Sequence, residues 1–217
     1  MSYNNLTEIP QWISYCQQLR TIYANNNHIS NLPDNLFENE NGMLCTIQLA
    51  CNRLSKLPFM SPKKKLPLQE LFVNGNNLEE LPEFLFATCE NLILLNISNN
   101  KLNFLPIIDG NRCQLERLYA TNNYLTDRIL DTLVNLPSLR ILHLAFNRLT
   151  ALPENCVSCW QELEELNISG NKLQHLPDNL SNLRNLRVLR VHSNQLQSTP
   201  ALAKVISLRV LDLARNQ

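Results

Sequence analysis

One motif repeats through the whole chain and decides what the chain can fold into. The pattern L-x-x-L-x-L-x-x-N-x-L recurs at intervals of 22 to 25 residues, a period typical of stacked structural repeats. Its asparagines are Asn4, Asn27, Asn52, Asn76, Asn100, Asn123, Asn147, Asn171, Asn194 and Asn216. Such regular spacing does not arise by chance, so we expect a solenoid in which each repeat contacts its neighbours.

Each repeat contains a short alternation of apolar and polar positions, as at Leu95 and Ile97, which predicts a strand with one face turned inward. Equivalent strands of successive repeats then pair into a parallel sheet. Where each strand ends, the asparagine amide can satisfy backbone groups that the turn removes from the sheet. The motif therefore predicts an α/β repeat fold, the leucine-rich repeat solenoid, curved as a horseshoe with its sheet on the concave face.

The convex side is predicted from the residues that follow the asparagines. Most repeats continue to Leu-Pro, and proline fixes φ and removes a backbone donor, so these segments should form short turns or 3₁₀ pieces. One repeat differs, because Asp127 is followed by a stretch without an early proline. We predict one helix there, over residues 128–135, with Asp127 as its N-cap.

The domain organisation follows from the same motif. Residues 1–217 are expected to form a single leucine-rich repeat domain of about nine to ten repeats. The motif begins just before Asn4 and stops after Asn216. Neither end shows the polar cap that terminal repeats normally carry, so we expect the domain to be truncated at both ends.

Composition and charge exclude several classes of function. Lysine plus arginine and aspartate plus glutamate number 19 each, so no global charge attracts nucleic acid. No apolar run approaches the roughly 18 residues of a membrane span, so no direct membrane insertion is expected. The seven cysteines are scattered and odd in number, which favours a cytoplasmic location. Four glycosylation sequons favour an extracellular receptor ectodomain instead, although the repeat consensus itself produces two of them.

Catalytic signatures are missing from the sequence. It contains no phosphate-binding glycine loop, no H-E-x-x-H and no G-x-S-x-G. Cys156 and Cys159 form a lone C-x-x-C without a second pair, and Asp109-Gly110 is interpreted as a turn. We therefore predict no catalytic residue, no metal site and no cofactor, and interpret these residues as a non-enzymatic scaffold.

The concave face is the expected binding surface, because the strand positions between the core leucines project from it. Aromatic and aliphatic side chains in neighbouring repeats can form the anchors of a protein interface there, with arginines adding charged contacts. The alternative is that these are ordinary strand residues, since strands favour aromatic and branched side chains. The predicted partner-binding residues are Phe72, Leu94, Arg117, Tyr119, Ile141, His143 and Arg190.

The C-terminal half allows a narrower comparison. The stretches LERLYATNNYLTD (115–127), LRILHLAFNRLTALP (139–153), LEELNISGNKLQHLP (163–177) and VHSN (191–194) resemble the PH-domain leucine-rich repeat protein phosphatases. The proline-free repeat at 125–142 fits that family in particular. The resemblance covers most of the chain and is specific over about residues 115–200.

This resemblance implies a pleckstrin-homology domain before the repeats and a metal-dependent serine/threonine phosphatase domain after them. Neither is present in the 217 residues, so no catalytic or metal residue carries over. The resemblance implies a substrate-recruiting scaffold for a phosphatase that acts on Akt-type kinases in intracellular signalling, with a kinase substrate as the protein partner. The alternatives are a Ras-pathway or other cytoplasmic scaffold, or the repeat domain of an adenylate cyclase. The oligomeric state is not predicted.

Overall fold

The repeats of the chain form one continuous sheet. The computed structural model describes residues 1–37, 43–61, 63, 65–108 and 113–217, so the Asp109-Gly110 turn lies outside the described residues. Nine parallel strands of three residues each pair in sequence order. They are β1 Thr21–Tyr23, β2 Thr46–Gln48, β3 Glu70–Phe72, β4 Leu94–Asn96, β5 Arg117–Tyr119, β6 Ile141–His143, β7 Glu165–Asn167, β8 Val188–Arg190 and β9 Val210–Asp212.

The register aligns equivalent positions of all the repeats. Leu118 of β5 pairs with Leu95 on one side and with Leu142 on the other. These middle residues are fully buried and belong to a core that extends along the described solenoid. Because side chains alternate along a strand, the first and third residues face away from that core. The predicted leucine-rich repeat solenoid is confirmed.

A ladder of buried asparagines joins neighbouring repeats. Asn147 is typical: its Nδ2 donates to the carbonyl oxygens of Ala120 at 2.9 Å and Leu144 at 3.0 Å, and its Oδ1 accepts the amide of Leu125 at 3.0 Å. The ladder begins at Asn27, because Asn4 is exposed and bonds only to nearby carbonyls. Each buried amide therefore satisfies backbone groups of two repeats at once.

The other side of the solenoid carries short helical segments. The 3₁₀ segments are Gln11–Tyr15, Asp178–Asn182 and Leu202–Lys204, and the α-helices are α1 Leu85–Thr88, α2 Arg128–Leu133 and α3 Glu154–Cys159. The helix predicted in the proline-free repeat is α2. The prediction that the segments after the prolines form only turns or 3₁₀ pieces is wrong for α1 and α3. Pro153 is extended and directly precedes α3, so a proline at this place admits a helix that starts after it.

The predicted cap of α2 is also wrong. The Asp127 side chain makes no capping hydrogen bond to its own helix. Its Oδ1 instead accepts the amide of Thr150 at 2.8 Å, and its Oδ2 accepts the hydroxyl of the same residue. Asp127 therefore connects its repeat to the next one, because Thr150, which has the place of Thr126 in that repeat, offers two donors.

The asparagine ladder leads to a first prediction. Asn147→Ala should lower the free energy of unfolding by about 1–3 kcal/mol, because the buried backbone groups lose their partner. The matched control is Asn135→Ala, since Asn135 is exposed and makes no side-chain hydrogen bond within the described structure. Its effect should stay within about 0.5 kcal/mol. Urea unfolding followed by circular dichroism measures both changes, and equal effects would contradict a stabilising ladder.

Buried thiols give a second prediction. Burial, with a smaller contribution from Cys113, raises the pKa of Cys89 to about 12. Burial also raises the pKa of Cys156 to about 12, with smaller contributions from Cys159 and Asp131. Since the thiolate is the reactive form, iodoacetamide at neutral pH should modify the exposed Cys51 and leave Cys89 and Cys156 intact.

Peptide mass spectrometry before and after unfolding in urea measures this difference. The raised pKa values also mean that the two thiols favour the folded state below pH 9.0, the ordinary thiol value. That contribution is lost as the pH rises from there through about 12. Modification of Cys156 as fast as Cys51 in the folded chain would contradict its burial.

Candidate protein-binding surface

The concave face, defined here as the surface formed by the first and third residues of the nine strands, contains all seven predicted binding residues. Tyr119 lies opposite His143 in the neighbouring strand, and Arg117 lies opposite Ile141. Arg190 is two strands beyond His143. These positions follow from the repeat, since each residue has the same place in its strand. That they bind a partner stays a prediction.

Four side chains form a connected group in the middle of this face. The rings of Tyr119 and His143 meet edge to face, with centroids 5.0 Å apart. His143 Nε2 lies 3.0 Å from Glu165 Oε1, and the same oxygen accepts a hydrogen bond from Arg190 Nη1 at 2.5 Å. We call Tyr119, His143, Glu165 and Arg190 the central cluster. Glu165 was not predicted as a site residue, yet it is the side chain that links His143 to Arg190.

Leu94 was expected to be an exposed anchor, and that prediction is wrong. It is only 5% exposed. Its neighbours in the first row are Glu70 on one side and Arg117 on the other. Arg117 Nη2 reaches to 3.9 Å from Glu70 Oε1, and an ion pair between the two flanking strands must pass over the leucine between them. Arg117 and Glu70 therefore cover Leu94.

Phe72 is separate from the central cluster. It pairs with Asn96, which in turn pairs with Tyr119, so a whole strand lies between the two aromatic side chains. Phe72 is half-buried on the concave face. It can contribute to the same binding surface, but the register does not place it next to Tyr119.

A second ionic group lies along the edge where the chain enters the strands. Arg140 donates to Glu164 Oε1 through Nε at 2.8 Å, and Arg187 Nη1 lies 3.0 Å from Glu164 Oε2. The hydrogen bond from Arg140, together with the charges of both arginines, lowers the pKa of Glu164 despite an opposing effect of burial. The hydrogen bond and charge of Glu164 raise the pKa of Arg140 in return. Glu164 and Arg140 therefore stay charged at neutral pH.

The sequence analysis missed Phe146, an exposed aromatic residue in a strained backbone conformation. Its φ is 53° and it is 53% exposed. The residue before a motif asparagine has a positive φ in repeat after repeat. Apart from Tyr3 in the first repeat, it is elsewhere small or polar, as at Asn122 and Gly170. A bulky side chain in this region is an outlier that costs stability. Aligning the repeats on their asparagines would have revealed it.

Another apolar surface lies away from the concave face. A groove of about 770 Å³ runs between the segments that follow the ladder asparagines and α2. Phe59, Phe104 and the 88% exposed Ile107 line it, together with Arg128 and Asp131 of α2. The sequence analysis did not predict this groove, because it depends on the different paths of neighbouring convex segments.

Clusters of metal-ligating side chains are absent from the part of the chain that the structure describes. No group of three or more histidine, cysteine, aspartate or glutamate side chains there could hold a metal ion. Cys156 is buried and Cys159 half-buried, and neither forms a disulfide. The described helices are at most six residues long, and none of them could span a bilayer.

The contact between Phe146 and Gly170 gives a third prediction. Gly170 has φ 64°, and a Cβ added there would lie 2.7 Å from Phe146 Cε1. Gly75 has φ 68°, and its added Cβ would meet Cys51 Sγ at 3.2 Å. Both alanine variants should lose about 1–2 kcal/mol because of the left-handed backbone. Gly170→Ala should lose about 1 kcal/mol more, because the ring has to move.

Adding Phe146→Ala to Gly170→Ala should remove the additional loss, and chemical unfolding of the two glycine variants and the double variant measures it. Equal losses at Gly75 and Gly170, unaffected by Phe146→Ala, would mean that the aromatic ring does not rest on Gly170.

The chain is similar to known repeat proteins in sequence and in structure. Residues 137–196 match the family model described as "Leucine rich repeat". A protein phosphatase PHLPP-like protein of Drosophila melanogaster is 43% identical over 141 residues, which are 64% of this chain and 15% of that protein. The human PH domain leucine-rich repeat-containing protein phosphatase 1 is 36% identical over 136 residues, 61% of this chain and 8% of that protein. The chain thus spans a small part of the length of these relatives.

Among solved structures, the plant peptide hormone receptor RGFR1 in complex with RGF2 superposes with a TM-score of 0.78 and 26% identity. The alignment covers 99% of this chain and 39% of the receptor. The agreement extends along nearly the whole solenoid, so the repeat geometry described above is that of leucine-rich repeat proteins. Repeats of this kind are protein-interaction modules.

Proposed function

We propose that this chain, whose repeats are those of the PH-domain leucine-rich repeat protein phosphatase family, is a non-catalytic scaffold that holds a protein substrate for a serine/threonine phosphatase. The substrate would be a kinase of the Akt type, bound on the concave face in cytoplasmic signalling. The relatives named as phosphatases support the first part of the proposal. The central cluster supports the choice of surface.

The central cluster is the observation that carries the proposal. Tyr119 and His143 present two aromatic rings on the sheet, and aromatic side chains are common anchors of protein interfaces. Glu165 holds His143 and Arg190 by hydrogen bonds, so these side chains lose less conformational freedom when a partner binds. The cluster therefore combines apolar contact area with charged donors in a fixed arrangement.

The cysteines support a location in a reducing compartment of the cell. All seven are free, and Cys89, Cys113 and Cys156 are buried. Free thiols of this kind are typical of the reducing cytoplasm, whereas secreted proteins of similar size usually pair them.

The fourth prediction tests this function directly. In biolayer interferometry with purified Akt as the probe, Tyr119→Ala should weaken binding to the 217-residue chain by about 1–3 kcal/mol, the range for an interface anchor. Phe59→Ala is the matched control, because it removes an exposed aromatic side chain from the groove on the other side. It should leave the affinity unchanged.

Stability separates binding from folding in the same experiment. Leu118→Ala should cost about 2–5 kcal/mol of unfolding free energy, because Leu118 is a fully buried core residue. Tyr119→Ala should cost much less, since Tyr119 faces away from the core. If Akt binding is lost with Phe59→Ala and kept with Tyr119→Ala, the site is the convex groove. If the chain does not bind Akt at all, the proposed substrate is wrong.

A further inference from the structure

The charges of the chain are divided unevenly along the solenoid. Residues 184–217 contain one acidic residue, Asp212, and a set of basic residues formed by Arg184, Arg187, Arg190, Lys204, Arg209 and Arg215. The formal charge of this part is +5, and because the whole chain is neutral, residues 1–183 carry −5. The last two strands therefore lie in a positive region next to a negative one.

Two of these arginines are neighbours at the edge where the chain enters β8 and β9. The amide of Arg209 donates to the carbonyl oxygen of Arg187 at 2.8 Å, and both residues are exposed. Arg187 shares Glu164 with Arg140. Within the described residues Arg209 makes no ion pair. The positive charge of Arg187 and Arg209 therefore exceeds the negative charge of the Glu164 carboxylate, which Arg187 shares with Arg140.

Arg190 extends this positive surface onto the concave face. It is half-buried and reaches Glu165 Oε1 through one nitrogen, an oxygen that His143 also contacts. A guanidinium has five N–H donors, so Arg190 keeps donors for a ligand. Asp212 lies opposite in β9, but its Oδ1 accepts the amide of Ala214 at 3.1 Å. We call Arg187, Arg190 and Arg209 the arginine surface.

We propose that the arginine surface binds an acidic peptide segment of the partner, rich in aspartate or glutamate. This inference rests on the proposed function, because it names the chemistry of a segment that would bind beside the central cluster. Guanidinium groups bind carboxylates through two parallel hydrogen bonds. Arg187 directly precedes β8 and Arg190 is its last residue, three residues or about 10 Å away, and Arg209 lies one strand away from Arg187, about 5 Å. A short extended peptide with several acidic side chains spans these distances.

The negative part of the chain argues against a long polyanion. A nucleic acid strand running along the sheet would leave the arginine surface and meet residues 1–183, with their formal charge of −5. Protein surfaces that bind nucleic acid usually neutralise several consecutive phosphates. A peptide can instead be acidic only where it meets the arginines and neutral or basic toward the central cluster. The charge pattern thus also fixes the direction in which the segment lies.

Fluorescence anisotropy with a short fluorescein-labelled peptide of alternating glutamate and serine tests this inference on the 217-residue chain. The double variant Arg187→Glu/Arg209→Glu should weaken peptide binding by about tenfold or more, and Arg187→Gln/Arg209→Gln by less. The matched control is Arg53→Glu/Lys101→Glu, which makes the same change of net charge at two exposed positions of the negative part. It should alter the affinity by less than about twofold. Circular dichroism melting confirms that the variants fold.

Three outcomes would overturn the inference. The first is that the peptide does not bind, and the second is that the control variant weakens it as much as the arginine variant. The third is that oligothymidylate or phosphatidylserine vesicles bind more tightly than the peptide and lose binding with the same arginines. The proposed function is judged separately, by Akt binding to the Tyr119 variant. Failure of the peptide experiment with intact Akt binding would refute the acidic segment alone.

Discussion

A buried asparagine side chain joins each repeat to the one before it, and the rest of the structure depends on that contact. Strands of three residues offer too few backbone hydrogen bonds to hold a sheet by themselves. The amide of Asn171 reaches carbonyl oxygens in two repeats, and its Oδ1 accepts the amide of Leu149. Since the same bonds recur along the ladder, neighbouring repeats keep a constant register and stability comes from contacts between nearest neighbours.

The constant register determines which side chains contact one another on the concave face. Adjacent strands lie about 4.8 Å apart, which places equivalent side chains within reach of one another. Glu165 can therefore contact a histidine in the strand before it and an arginine in the strand after it. Glu164 does the same with two arginines along the neighbouring edge. A carboxylate placed between side chains of both neighbouring strands is a consequence of the stacking, and it holds long side chains in place on an otherwise open surface.

The sequence was sufficient to predict the sheet, the ladder and the direction in which each strand side chain points. All three follow from the constant spacing of the motif. It was not sufficient for contacts between side chains of different repeats. Leu94 was predicted to be an exposed anchor because the alternation within its own strand points it away from the core. It is instead covered by an ion pair between the two neighbouring strands. Asp127 looked like a helix cap, yet Thr150 in the next repeat offers it two donors. Such choices depend on distances that a single repeat does not contain.

Three distinctive features lie together in the second half of the solenoid. The proline-free segment with α2, the strained Phe146 and the central cluster all fall between residues 117 and 190. A strained and exposed aromatic residue lowers stability, and such residues are often found at functional sites. Its ring rests on Gly170 and lies 6.3 Å from His192, two repeats on from its own strand. Phe146 follows β6 and the central cluster spans β5 to β8, so both lie in the second half of the solenoid, where a partner on the concave face would contact them.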